Sequence, residues 1–179
     1  MGAYDNCIIL IPTLQSDERL IQMIHGLHER FFYKIAVTDD GSSDDRQKYF
    51  QEAEIMSVKV IHHSKKMGKG VDLRLADEKI GESDFYITAD CDGQYSPEDI
   101  EKVAKELLEN PDCFVLGVRT YERKKGKKVR FWLNSCQKLF FRITNHGKEC
   151  PDPRSGLRGF PASLKKLALC AEGSLMIMN

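Results

Sequence analysis

Apolar residues along the chain fall into two alternating patterns. Short continuous runs rich in Ile, Val and Phe, namely CIILIP (7–12), KIAVT (34–38), VKVIHH (58–63), FYITA (85–89) and CFVLGV (113–118), have the length and branching of buried strands. Between them the apolar residues return at helical spacing: Leu20, Met23, Ile24 and Leu27; then Ile100, Val103, Ala104 and Leu107; then Trp132, Cys136, Leu139, Phe140 and Ile143. Strand and helix therefore alternate, with connections long enough for crossover helices. The pattern predicts an α/β fold, a mostly parallel Rossmann-like sheet with helices on both faces. In such sheets ligands gather beyond the carboxyl ends of the strands.

Composition narrows the picture. With 41% hydrophobic residues in 179, the chain has enough apolar material for one domain spanning 1–179. Lys plus Arg equals Asp plus Glu at 27 each, so no overall field recruits nucleic acid or an acidic membrane. The basic stretch RTYERKKGKKVR (119–130) reads as a mobile loop that steers anions. No apolar run has the length of a membrane helix, and MGAYDNCIILIP lacks the regions of a signal peptide. A cytoplasmic protein is expected. The six cysteines form no C-x-x-C pair, which argues against zinc and thioredoxin-like sites and for reduced, mostly buried thiols. His62 and His63 read as a solvated or packed pair.

The chemistry concentrates in YITADCDGQYSPEDI (86–100). Ser96, Pro97, Glu98 and Asp99 form a helix start, with Ser96 as N-cap and acidic residues in the first turn. Asp90 and Asp92 precede that cap on the loop. Two converging carboxylates repel unless a cation lies between them, and a hard ion such as Mg²⁺ or Mn²⁺ suits them; Gln94 could add a neutral oxygen. Taken alone, the D-x-D is equally an Asx turn before a helix.

Three further clusters carry polar groups. In VTDDGSSDD (37–45), capping accounts for Ser43, Asp44 and Asp45 but not for Asp39, whose carboxylate could accept from a nucleobase N–H or a ribose hydroxyl. KKMGKGVDLRLA (65–76) lacks P-loop spacing; its glycines suit a turn into a helix with Lys69 beside a pyrophosphate or, on its own, a plain turn with a solvated lysine. CPDPRSGLRGF (150–160) reads as a sharply turned loop carrying Asp152, Arg154, Ser155 and Arg158. Arg119, Arg130 and Arg158 are candidate phosphate clamps.

Together TDDGSSD, MGKGVDLR, ITADCDGQYSPEDI, LGVR and DPRSGLRGF, in this order, resemble glycosyltransferase family 2, and within it the dolichyl-phosphate mannose synthase and polyprenyl-phosphate glycosyltransferase branch. The resemblance implies the GT-A fold, a nucleotide-diphospho-sugar donor, and inversion at the sugar's anomeric carbon. It implies a lipid-phosphate or glycan acceptor, and work at the cytoplasmic face of a membrane by peripheral association or through a membrane partner. It counts Pro12, Asp39, Asp40 and Lys69 among the donor contacts, with Asp39 at the nucleobase. Asp90, Asp92 and Gln94 then hold the divalent metal at the diphosphate. Arg119 and Arg130 contact the diphosphate or the acceptor phosphate, and Asp152, Ser155 and Arg158 belong to the acceptor loop. Asp92, Asp152 and Arg130 are the residues assigned to catalysis, Asp152 as base where the acceptor is a hydroxyl.

Two departures stand out. Residues 12–18, PTLQSDE, replace the family's P-x-x-N-E-like segment, and the chain reads as shortened at its C-terminus. A non-catalytic nucleotide-sugar-binding or scaffold protein is the alternative. A phosphatase of the haloacid-dehalogenase type, which also uses D-x-D-G, fits less well because the motif here follows the fourth strand instead of the first.

Overall fold

A computed structural model describes residues 2, 4–63, 65–66, 68, 73, 79–118, 152 and 155–171. The strands are β1 (Cys7–Thr13), β2 (Ile35–Asp39), β3 (Lys59–His62), β4 (Phe85–Thr88), β5 (Val115–Leu116) and β6 (Arg158–Pro161). The α-helices are α1 (Glu18–His28), α2 (Gln47–Ile55), α3 (Pro97–Glu109) and α4 (Lys165–Ala171). The sheet runs β3-β2-β1-β4-β6-β5. Its first four strands are parallel, and β6 is antiparallel to both neighbours.

Both faces of the sheet are covered, which is why the strand sequences are continuously apolar. Alternation along β1 sends Ile9 and Ile11 toward Leu20, Ile24 and Leu27 of α1, Phe50 of α2 and Ile100 and Leu107 of α3. Ile8 and Leu10 face the other layer, where Ala36, Ile61, Tyr86, Phe160 and Leu169 pack with Leu73 and Ile80. The helical faces read from sequence at α1 and α3 are buried as expected. The face from Trp132 to Ile143 lies outside the described residues.

The helix starts follow their caps. In α3 the Ser96 side chain accepts from Asp99 N while the Asp99 carboxylate accepts from Ser96 N, and Pro97 occupies the first turn. Asp17 caps α1 by accepting from Arg19 N at 3.0 Å. The acidic run at 43–45 behaves differently from expectation. The Ser43 side chain makes no cap hydrogen bond; its hydroxyl donates to Gln15 Oε1 at 2.8 Å, and Asp44–Arg46 form one 3-10 turn before α2.

Two expectations are corrected. CFVLGV contributes only Val115–Leu116 as strand. The segment read as a turned loop, DPRSGLRGF, ends in strand β6. Its register, Arg158 with Thr88 through Pro161 with Phe85, explains why the sequence hides it. A Gly and a terminal Pro are poor strand formers on their own, and the free edge of β4 supplies what they lack.

Candidate active site at the carboxyl edge of the sheet

The parallel strands end along one edge with Pro12 and Thr13, Asp39 and Asp40, His62, and the Ala89-Asp90 step side by side. From β1 the chain moves outward to β2 and β3, then returns to β4 on β1's other flank. Strand order therefore reverses at the β1–β4 boundary, where a crevice forms. An open depression of ≈ 180 Å³ occupies that boundary, lined by residues 12–17, Arg19 and 90–92. A depression of ≈ 280 Å³ between Tyr33, Lys59 and Glu82 lies toward the opposite strand ends and carries none of the paired carboxylates.

Backbone hydrogen bonds stitch the loops around this crevice. Asp40 N donates to Thr13 O at 3.0 Å, and Gln15 N donates to Ser42 Oγ at 2.8 Å. The Asp40 carboxylate accepts from Gly68 N at 2.9 Å, joining the turn after β3 to the β2 loop. Gly41 is needed in that loop: its φ is +82°, and a Cβ would stand 2.9 Å from Lys65 C and Lys66 N.

Asp39 is buried, and both of its oxygens take hydrogen bonds within the protein. Oδ1 accepts from Ser42 N at 2.8 Å; Oδ2 accepts from Gln47 Nε2 at 3.2 Å and lies 3.1 Å from His62 Nδ1. Burial pushes its carboxyl up, but the hydrogen bonds from Ser42, His62 and Gln47 together outweigh burial and hold it below the usual carboxylate range. His62 is thus a partner of Asp39 and not simply a solvated or packed histidine.

Asp90 and Asp92 flank Cys91 at the crevice wall. Asp92 accepts from Gln94 N at 3.0 Å and from the Gln94 side-chain amide. Gln94 therefore turns its N–H groups toward Asp92 and acts as that carboxylate's support. Arg19 donates to Asp92 O at 2.6 Å while gripping Asp17 with Nε and Nη2. Burial pushes the Cys91 thiol up to about 11, so it stays neutral and the oxygen ligands are left to a hard ion.

The loop read as the acceptor segment closes onto this wall. A Cβ on Gly156 would lie 1.9 Å from Asp90 Oδ2, so backbone and carboxylate touch without room for a side chain. That approach is held by a relay. Gly156 N donates to Tyr95 Oη at 3.2 Å, Tyr95 Oη meets Ser155 Oγ at 2.8 Å, and Ser155 Oγ reaches Gly117 O. Ser155 is completely buried, and its hydroxyl takes part in this relay beside Gly156. Arg158 Nε donates to Ser155 O at 2.9 Å, and Asp152 O accepts from Ser155 N at 3.1 Å. Both therefore belong to the same folded loop, with Asp152 itself buried.

Two hard anionic oxygen donors, a rigid backbone packed against one of them and a hydrogen-bonded support on the other make a donor set that fits Mg²⁺ or Mn²⁺. Lys69, Arg119 and Arg130 lie outside the described residues. Sequence reasoning missed Thr13, Ser16, Arg19 and His62. The Thr13 hydroxyl is buried in the crevice lining with no hydrogen-bond partner among the described residues, a group left for a ligand or water. The only sequence signal for it was its position directly after Pro12 at the end of β1.

Residues 8–163 match the family model of glycosyl transferase family 2. The chain belongs to that family. It is 28% identical over 182 residues to the UDP-N-acetylglucosamine–dolichyl-phosphate N-acetylglucosaminyltransferase of Methanococcus voltae, covering 91% of this chain and 72% of that protein. It is 28% identical over 180 residues to glycosyltransferase AglJ of Haloferax volcanii, covering 97% of this chain and 56% of that one. Among solved structures it resembles glucosyl-3-phosphoglycerate synthase of Mycobacterium tuberculosis in complex with Mn²⁺, UDP and glucosyl-3-phosphoglycerate. That match has a TM-score of 0.66 at 18% identity, over 89% of this chain and 57% of the other. The fold is GT-A. Membership in this family, with the D-x-D beyond β4, removes the phosphatase reading.

Proposed function

We propose that this family 2 domain transfers a sugar from a nucleoside-diphosphate donor to a polyprenyl or dolichyl phosphate, with inversion at the anomeric carbon. The observation that carries the reading is the placement of Asp90 and Asp92 at the β1–β4 switch point, with Gly156 packed on Asp90. That is where a nucleotide's diphosphate reaches in a sheet of this topology. Asp90 and Asp92 would hold the divalent ion. When bound, Mg²⁺ or Mn²⁺ supplies Lewis-acid stabilisation of the charge on the leaving nucleoside diphosphate.

The chain's own residues do the rest. Gln94 and Arg19 orient Asp92, one through its carboxylate and the other through its backbone carbonyl. The Tyr95–Ser155 relay keeps Gly156 against Asp90, so the carboxylate does not reorganise as charge develops. A lipid phosphate is anionic at neutral pH and needs no base to attack. Asp152 is thereby freed from the catalytic role a hydroxyl acceptor would demand, and its burial suits a part in holding the loop. Among the described residues no helix is long and apolar enough to cross a membrane, and a lipid-phosphate acceptor would bring the domain to a membrane surface by association.

UDP-N-acetylglucosamine with dolichyl phosphate is the pair to assay first, since it is the pair in the name of the Methanococcus voltae relative. Transfer is expected in Mn²⁺ or Mg²⁺, lost in chelator, and reduced at least about 100-fold in Asp92→Ala, the scale of removing a developing-charge stabiliser. Undiminished transfer by Asp92→Ala overturns the assignment. Donor binding without turnover across a panel of prenyl phosphates and sugar nucleotides would support the non-catalytic alternative.

A further inference from the structure

We infer that His62 is the residue that reads the donor's nucleobase, with Asp39 behind it as the group that fixes the ring; this rests on the nucleotide-sugar reading above. His62 ends β3, beside Asp39 at the end of β2 in the sheet register. Its side chain is 44% exposed, whereas that of Asp39 is 2% exposed. The Asp39 carboxylate is shut off from solvent and already holds Ser42, Gln47 and His62. The group standing in front of it at the carboxyl edge is the imidazole.

Three contacts orient that ring. Strand pairing fixes its backbone, Asp39 Oδ2 lies 3.1 Å from Nδ1, and Phe50 meets the ring edge-on with centroids 5.5 Å apart and planes at 72°. An ionised carboxylate only accepts, so Nδ1 carries a proton. In the neutral ring Nε2 is then an acceptor, and among the described residues it has no partner. An oriented acceptor one strand outward from Asp39, with the diphosphate site at β1 and β4, suits a base that presents a ring N–H, as uracil does at N3 and guanine at N1.

The test is calorimetric titration of UDP and N3-methyl-UDP, and of GDP and N1-methyl-GDP, into wild type, His62→Ala and His62→Gln in the presence of Mn²⁺. Wild type is expected to bind the unmethylated nucleotide about tenfold more tightly than its methylated form, the scale of one net hydrogen bond. In His62→Ala the two forms bind alike, both near the weaker wild-type affinity. His62→Gln, whose side-chain carbonyl can accept, restores part of the preference and guards against a variant that merely misfolds. A methylation penalty of equal size in wild type and His62→Ala overturns the inference and leaves the transferase reading standing. Binding of neither UDP nor GDP by wild type overturns both.

Discussion

Gly156 packs so closely on Asp90 that a Cβ would stand 1.9 Å from the carboxylate oxygen. The pair joins the loop before β6 to the loop after β4 at the point where a divalent ion would be held. A glycine with ordinary backbone angles is required here by its neighbour and not by its own conformation.

Gly156→Ala is therefore expected to displace Asp90. Overpacking of this kind costs about 1–3 kcal/mol, visible as a lower denaturation midpoint. The apparent Mn²⁺ affinity should fall as well, and by more than in a variant of equal instability placed away from the crevice. An unchanged metal affinity would mean that Asp90 is not held by this contact.

Ser155 and Tyr95 are members of one buried hydrogen-bond relay. Ser155→Ala and Tyr95→Phe should each cost about 1–3 kcal/mol by stranding a buried partner. The double variant should cost less than the sum, because the second deletion removes a bond already broken. Additive effects in a urea-melt cycle would dissociate the two hydroxyls.

Asp17 gives stability a dependence on acid pH. The side-chain and backbone hydrogen bonds from Arg19 hold its carboxyl at about 2, below the ordinary carboxylate range of the unfolded chain. The unfolded state takes up the proton first, so the contribution is complete above the ordinary range and is lost as pH falls toward 2. Asp17→Asn is expected to be less stable than wild type at pH 6, with the gap narrowing as pH is lowered from 6 toward 3. A gap independent of pH would show that the cap, and not the charge, carries the effect.

Phe31 holds a left-handed backbone, φ +64°, with its side chain exposed. A bulky residue is strained there, by about 1–2 kcal/mol. Glycine relieves the strain but costs the unfolded chain's extra freedom, so Phe31→Gly should raise stability by about 0.5–1 kcal/mol. A lowered melting temperature would reveal a contact by the phenyl ring that outweighs its backbone strain.

Periodicity and punctuation in the sequence determine β1 to β4, the buried faces of α1 and α3, and the capping box at Ser96 and Asp99, because each depends on residues within a few positions of one another. Motif order likewise brings out the family and the D-x-D beyond the fourth strand. Only the tertiary structure decides that Arg158–Pro161 becomes a strand, since its propensity is weak and its partner is the edge of β4. It places the Ser155 hydroxyl in a buried relay with Gly117 and Tyr95, the latter 60 residues away. It turns His62 from a surface histidine into the oriented face of Asp39, 23 residues distant. Local patterns record which side of an element is buried; the meeting of loops from separate strands is set by how the sheet is ordered, and no short window of sequence contains that.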